Sequence, residues 1–424
     1  MSVCYIFSGI FAFLFFCNIG SNFSSFVATI LYLFVPYKFA NLYTRGAIGE
    51  VVALTFVPLI LLSLHLVKRG SRFGKVFLML SLFGIITSHT IIFLINIPVF
   101  VIYFFYFIKP NFEIVKQVVF CVIFATFLSS FQMIPAIFEK TFVRLEATFL
   151  QVYDSYFLPF NQLLLPSFIN PNASGSPFQL GLPSVVISFA FALLVIFKKK
   201  LKFIVLFALF VLYVFLIITQ SQFLWCKLNL LDYSTYGLRF LSVLGLLISI
   251  FCVYVIDRVK MKFVFGVVII SLCLITTRHF LLRPTQLVST VTEDPPSFPN
   301  EFDTVFSNEI TYSPINTVTA TVSSTIEQIN SDELNLYFVI NSSNPSPVIV
   351  RKLYFPGWSV FVDGTKTNIS EFNGLITFTV PAGSHKVDVI FSKSRIQQIA
   401  DLITYSSFVA FFVFVFLKIK NKTV

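Results

Sequence analysis

Three short segments of this chain carry the residue types that bind phosphate and move protons. The first is YTRGAIGE at 43–50, which sets Tyr43, Arg45 and Glu50 together where one apolar run ends and the next begins. Arg45 suits a phosphate because its planar fork donates paired hydrogen bonds. Glu50, about one turn into the following helix, can orient an acceptor, act as a base, or simply pair with Arg45. The second is Ser88-His89-Thr90, where the imidazole can hydrogen-bond a phosphate or shuttle a proton. No second ligand stands at a metal spacing from His89, so zinc is a poor fit there. The third groups Asp232, Tyr236 and Arg239 just before the apolar run at 240. Arg239 there is either a phosphate ligand or a membrane anchor. No D-x-D motif and no Ser/His/Asp arrangement with recognisable local context accompanies these residues, and their spacing alone specifies no reaction.

The elements that must position them are membrane helices. The chain is 424 residues long, 57% hydrophobic and 12% charged, with a mean hydropathy of +0.87. Soluble chains carry about 25% charged residues. Repeated apolar runs predict spans near 3–19, 23–36, 47–66, 76–88, 90–108, 117–138, 183–197, 203–219, 240–256, 263–277 and 398–417. No Lys, Arg, Asp or Glu precedes Lys38, so 3–19 reads as a span rather than a signal peptide. Five of the six cysteines (all but Cys226) lie in apolar spans, where Cys behaves as a small hydrophobe. No disulfide framework or CxxC metal motif is visible.

The net charge of +11 sets orientation rather than recruiting nucleic acid. More than half of the 30 basic residues cluster in the connectors at 68–75, 109–116, 198–202 and 258–262 and in the tail 418–422. Of the 19 acidic residues, only Glu113 and Asp257 share those connectors. This is the positive-inside pattern and places them in the cytoplasm. The stretch 76–108 has basic connectors on both sides, so it must cross an even number of times, with a hairpin near Ser88–His89. Eleven crossings then put the N-terminus outside and the C-terminus inside. The external segments are 37–46, 139–182, 220–239 and 278–397, and the internal ones are short. No cytoplasmic loop can fold a nucleotide-binding domain, and no P-loop or Rossmann glycine fingerprint occurs. Chemistry is therefore expected on the outer face or within the membrane. The loop 139–182 mixes aromatic, amide, Pro and Gly residues, a surface suited to sugar or lipid headgroups and equally to plain packing.

After a Pro-rich linker, alternating stretches at 317–324, 334–341, 347–354, 358–362, 375–380 and 386–391 read as strands. Asp363-Gly364, Asn373-Gly374 and Ala382-Gly383 supply the residues that tight hairpins need. A small β-sandwich is the natural reading, and Asp363 is a turn residue before it is a catalytic one.

These residues resemble a known family. YFPGWSVFVDG…NGLITFTVPAGSHKVDVIF (354–391) is similar to the C-terminal signature of YfhO-like bacterial membrane proteins. PYKFANLYTRGAIGE (36–50), PAIFEKTFV (135–143), NQLLLPSF…SPFQLG (161–180) and YGLRFL (236–241) resemble the related membrane proteins called 6-pyruvoyl-tetrahydropterin synthase-related, although nothing in the residues points to pterin chemistry. The resemblance spans most of the chain in order. It implies a C-superfamily glycosyltransferase-like fold: an all-α multi-span membrane bundle over 1–277, an extracytoplasmic β-sandwich over 285–395 and a last helix at 398–417.

It further implies a sugar moved from a polyprenyl-phosphate-linked donor to a cell-envelope glycan or lipid. Tyr43, Arg45, Tyr236 and Arg239 would hold the lipid phosphate; Glu50 and His89 would be catalytic, with a divalent cation beside Glu50 left open. Such enzymes carry an acidic catalytic residue in the first external loop after their first span. With no charge before Lys38, that loop is expected to be missing, as in an N-terminally truncated copy or a non-catalytic envelope assembly or glycan-binding relative. A transporter is disfavoured by the absence of paired charges inside spans and of visible inverted repeats.

Overall fold

The computed structural model describes residues 2–143, 157–164, 178–228, 237–282, 304–306, 318–320, 324–332 and 334–420. Tyr236, most of the loop 139–182 and most of the Pro-rich linker lie outside these residues. The chain forms two compact units. One takes in residues 1–129, 152–290 and 407–424, and the other residues 130–151 and 291–406.

The first unit is helical, and every expected span up to residue 128 coincides with a helix. These are α1 (Ser2–Phe16), α2 (Asn22–Leu33), α3 (Pro36–Ala40), α4 (Ile48–Lys68), α5 (Gly74–Ser88), α6 (Thr90–Tyr103) and α7 (Phe112–Leu128). Beyond α8 (Ser130–Phe138) and the short α9 (Phe160–Leu164) come α10 (Leu182–Lys198), α11 (Leu201–Ile217), α12 (Gln222–Leu228), α13 (Phe240–Ile256) and α14 (Lys262–Leu282). The final helix, α15, runs Arg395–Lys420. Caps set several of these boundaries. The side chains of Ser21 and Asn111 accept the backbone N–H groups of Ser24 and Ile114 at 3.3 and 2.9 Å.

One expectation changes, and one is met only in part. The span 117–138 is two helices, because the ladder breaks at Ser129 between α7 and α8. The eleven-span count also meets a length limit. Among the described residues, five helices are long and apolar enough to cross a membrane, or six if α7 and α8 make one span. Four further apolar helices, α1, α5, α10 and α11, have 15 to 17 residues. At about 1.5 Å per residue they fall short of a hydrocarbon core of about 30 Å.

Helix α13 is the hub of this unit, with every residue buried. Helices in lipid gain little from the hydrophobic effect and rely on close packing. Accordingly α13 offers the small residues Ser242, Gly245 and Ser249, and a Cβ added at Gly245 would come within 3.0 Å of Val35. On another side Phe251 stacks on Phe191 of α10, ring centroids 3.9 Å apart and planes 2° apart.

The second unit holds the β-domain. Strands β1 (Val318–Ala320), β4 (Ser346–Leu353), β8 (Leu375–Val380) and β7 (Ser370–Phe372) form one antiparallel sheet in the order β1-β4-β8-β7. Strands β2 (Ser324–Ser331), β3 (Asn335–Ser342), β9 (Gly383–Phe391), β5 (Trp358–Val362) and β6 (Thr365–Thr367) form the other, in the order β2-β3-β9-β5-β6. Alternate residues of both sheets, among them Phe338, Val350, Val360, Phe378 and Val389, meet in one core, which makes the pair a sandwich. Asp363 and Gly364 have φ of 50° and 78°, and Asn373 and Gly374 have 51° and 75°, the left-handed pairs of two-residue hairpins. Strands β2, β6 and β7 are missed in the sequence because they are edge strands with polar or exposed residues. In the same unit the buried Glu139 carboxylate accepts from the Ser394 hydroxyl and, at 2.7 Å, from Gln397 Nε2.

Asp363 also ties its hairpin to β9. Its Oδ1 accepts the Lys386 N–H at 2.8 Å, and its Oδ2 lies 2.6 Å from His385 Nδ1. The bond to His385, then the Lys386 N–H, lowers the Asp363 pKa below its ordinary 3.8. The bond to Asp363 raises His385 above its ordinary 6.5. The His385 contribution is therefore complete below about 6.5 and is lost as pH rises through the raised value; the Asp363 contribution is present above about 3.8 and is lost as pH falls through the lowered one. In the full chain, amide-exchange protection at Lys386, corrected for intrinsic rate, is expected to be greater at pH 5.5 than at pH 8.5. Asp363→Asn, which keeps the left-handed turn, should flatten that profile; an unchanged profile means that the pair contributes nothing.

Candidate functional site

The segment 36–50 folds as a broken helix whose break makes the site. Pro36, which fixes its own φ at the first helical position, starts α3. The next turn, Asn41–Arg45, widens into a π-turn, and Gly46 closes it at φ 63°. That left-handed conformation is strained for other L-residues. The chain then re-enters a helix at Ile48, which brings Glu50 back under Arg45. Single π-turns of this kind are frequent at functional sites.

Glu50 is the centre of the cluster, its side chain 2% exposed. Its Oε2 accepts from the Tyr37 hydroxyl at 2.6 Å, Asn41 Nδ2 at 2.9 Å and Arg45 Nη1 at 3.3 Å. Its Oε1 accepts from Arg45 Nη1 at 3.2 Å and from Arg239 Nε at 2.9 Å. Arg45 Nη1 also donates to Asn41 Oδ1 at 3.0 Å. Arg239 arrives from a 3₁₀ turn, Gly237–Arg239, at the head of α13, and its carbonyl accepts the Ser242 hydroxyl at 2.7 Å.

His89 joins from the break between α5 and α6, where its backbone is extended and ends one helix while starting the other. Gly49 allows this approach: a Cβ there would lie 2.8 Å from the Ser88 carbonyl oxygen. The His89 Nδ1 accepts the Ile92 N–H at 3.3 Å, which leaves its Nε2 3.7 Å from Glu50 Oε1. Burial, and then the charge of Arg239, brings the His89 pKa down from 6.5 to about 4. The ring is neutral near pH 7 with its proton on Nε2.

Four of the six residues given a role in the sequence thus stand together: Arg45, Glu50, His89 and Arg239. Tyr43 stands apart, 57% exposed, with its ring stacked on Phe39 at 6.2 Å. Tyr236 lies outside the described residues. The sequence reading missed Tyr37 and Asn41. Their spacing of four, which puts both on one face of a helix leading into Arg45, was the available signal.

Among the described residues the cluster brings two guanidiniums to one carboxylate beside a neutral imidazole. The Arg45 side chain is 25% exposed and His89 21%, against 9% for Arg239. An incoming group therefore meets Arg45 and His89 first. The arrangement suits an anion and disfavours a divalent cation, because the carboxylate oxygens already face both guanidiniums within 3.3 Å.

Glu50→Ala removes the carboxylate that both arginines share. Breaking a buried ion pair on one side costs about 3–5 kcal/mol, so a marked loss of thermal stability in detergent is expected. Tyr37→Phe removes one hydrogen bond and should cost about 1 kcal/mol. Equal stabilities for the Glu50→Ala and parent chains would mean that the cluster does not hold the helices together.

Comparison with known proteins adds a family. A family model described as "6-pyruvoyl-tetrahydropterin synthase related domain; membrane protein" matches residues 2–282. No curated protein and no solved structure matches the chain.

Proposed function

This chain belongs to the 6-pyruvoyl-tetrahydropterin synthase related membrane proteins, and from that premise we propose that it is a membrane glycosyltransferase. In this reading a sugar passes from a polyprenyl-phosphate-linked donor to a cell-envelope glycan or lipid on the outer face. The chain crosses the membrane eleven times, with the basic connectors inside and with the mouth at Arg45 and the β-domain outside. The observation that supports the proposal is the convergence of Arg45, Arg239 and His89 on one buried carboxylate, with Arg45 and His89 the more exposed of the three.

The chemistry is displacement at the anomeric carbon, in which the bond to the phosphate oxygen breaks as the acceptor oxygen bonds to that carbon. Charge grows on the departing phosphate, and donors fixed in advance stabilise that charge without reorganising. Arg45 supplies a guanidinium and His89 an Nε2–H at the open side of the cluster. Glu50 holds Arg45 and Arg239 in register. With donors on both of its oxygens it acts as a positioning residue; the proton from the acceptor hydroxyl must go to another base.

That same saturation of Glu50 favours a second reading: a protein that binds the lipid phosphate without transferring sugar. Both readings meet one experiment. Membranes from cells expressing the full chain, given a polyprenyl-phosphate-linked sugar, are expected to transfer it. Arg45→Ala should lower the rate by about 10²-fold or more. If Arg45→Ala and Arg239→Ala both leave transfer intact, the site assignment is wrong. If the parent chain retains polyprenyl phosphate in an Arg45-dependent way without any transfer, the binding reading stands instead.

A further inference from the structure

A second cationic site lies at the other ends of the helices, in the basic connectors. The Nζ of Lys202, at the start of α11, stands 5.6, 5.2 and 5.5 Å from the ring centres of Phe107, Phe203 and Tyr254. Arg258, just beyond α13, places its Cζ 5.4 and 5.6 Å from two of the same rings, Phe203 and Tyr254. The rings pack on one another, Phe203 and Tyr254 at 5.0 Å and Phe107 and Tyr254 at 6.4 Å. Lys109 and Lys200 are near enough to add their charge to that at Lys202. Cations from three connectors therefore converge on one aromatic platform.

The close approach of like charges costs Coulomb energy that a counter-charge would offset. The ring faces offset part of the repulsion, about 0.5–1 kcal/mol per contact at exposed sites. A carboxylate would offset more, yet among the described residues none lies within ion-pair distance of Lys202 or Arg258. The two acidic residues of these connectors are engaged elsewhere. Glu113 pairs with Lys116 at 3.0 Å, and the Asp257 oxygens accept from the Ser21 N–H and hydroxyl at 3.1 and 2.6 Å.

We propose that Lys202 and Arg258, on the ring platform of Phe107, Phe203 and Tyr254, bind the phosphodiester of an anionic phospholipid in the inner leaflet. The shared chemistry is a phosphate anion. The neighbouring surface favours a lipid as its source, because Leu201, next to Lys202 in the chain, and Phe197, in the last turn of α10, are 64% and 78% exposed and offer apolar surface for acyl chains. Basic pockets between helix ends are suited to lipid headgroups in this way. The site is separate from the Glu50 cluster; it rests on the orientation proposed above, which puts these connectors at the inner leaflet, and not on a transferase activity.

The test titrates the purified full chain, in an uncharged detergent, with fluorescent phosphatidylglycerol and competes it with phosphatidylglycerol, phosphatidylcholine or inorganic phosphate. Phosphatidylglycerol is expected to displace the probe well ahead of phosphatidylcholine, and phosphate only weakly. The K202Q/R258Q variant should lose about tenfold or more of that preference, and R72Q/K75Q, on another basic connector, should keep it. Should K202Q/R258Q not fold, K109Q/K200Q at exposed positions should still lose part of the preference. Equal displacement by the two lipids, or an unchanged preference in the folded variants, overturns the site. Displacement by phosphate as strong as by phosphatidylglycerol overturns the lipid assignment.

Discussion

One carboxylate holds the mouth of the helical unit together. A charged group in a bilayer is costly unless it is paired and fully hydrogen-bonded. Glu50 meets that condition by drawing donors from separate stretches of chain: Tyr37, Asn41 and Arg45 from the broken helix before it, and Arg239 from the head of α13. Each donor fixes a piece of backbone. The π-turn at Asn41–Arg45, the left-handed Gly46 and the close approach at Gly49 are the local shapes through which the chain reaches this arrangement. The site and the packing of the surrounding helices are thus one constraint.

The two ends of the bundle handle charge in different ways. At the Glu50 end, two guanidiniums meet one buried carboxylate. At the connector end, cations rest on aromatic faces, and among the described residues no carboxylate lies within ion-pair distance of Lys202 or Arg258. The buried Lys38 shows an intermediate solution within the helical unit, with its ammonium 3.4 Å from the centre of the Tyr32 ring and 3.3 Å from the Ser8 hydroxyl. In each case at least one partner is supplied by a different helix, so charge placement and helix packing reinforce each other.

Much of this was legible in the sequence because membranes impose simple rules. Apolar run length marked the long helices, and the Asp-Gly and Asn-Gly pairs marked hairpins that the backbone then adopts with positive φ. Arg45, Glu50, His89 and Arg239 stood out as costly residues at run ends, and they meet. What the sequence hid is of two kinds. Tyr37 and Asn41 are uncharged, so their burial in a polar network looked like ordinary helix composition. The break at Ser129 hid because an apolar run carries no mark of where its ladder stops when no Pro or Gly stands at the break. Strands β6 and β7 escaped because three residues show too little alternation, and β2 because it is an edge strand rich in polar residues.

The complete burial of α13 has a consequence for biogenesis. A helix enclosed on all sides has no lipid-facing surface in the finished protein, so the bilayer reads its hydrophobicity only while the chain is being threaded into the membrane. Its neighbours α2 and α10 emerge earlier from the ribosome and α14 later. The first two must therefore wait, partly exposed to lipid, until Phe240–Ile256 arrives to fill the space between them. Substitutions that leave α13 well packed but slow its insertion would then act on yield alone, with the molecules that do assemble behaving normally.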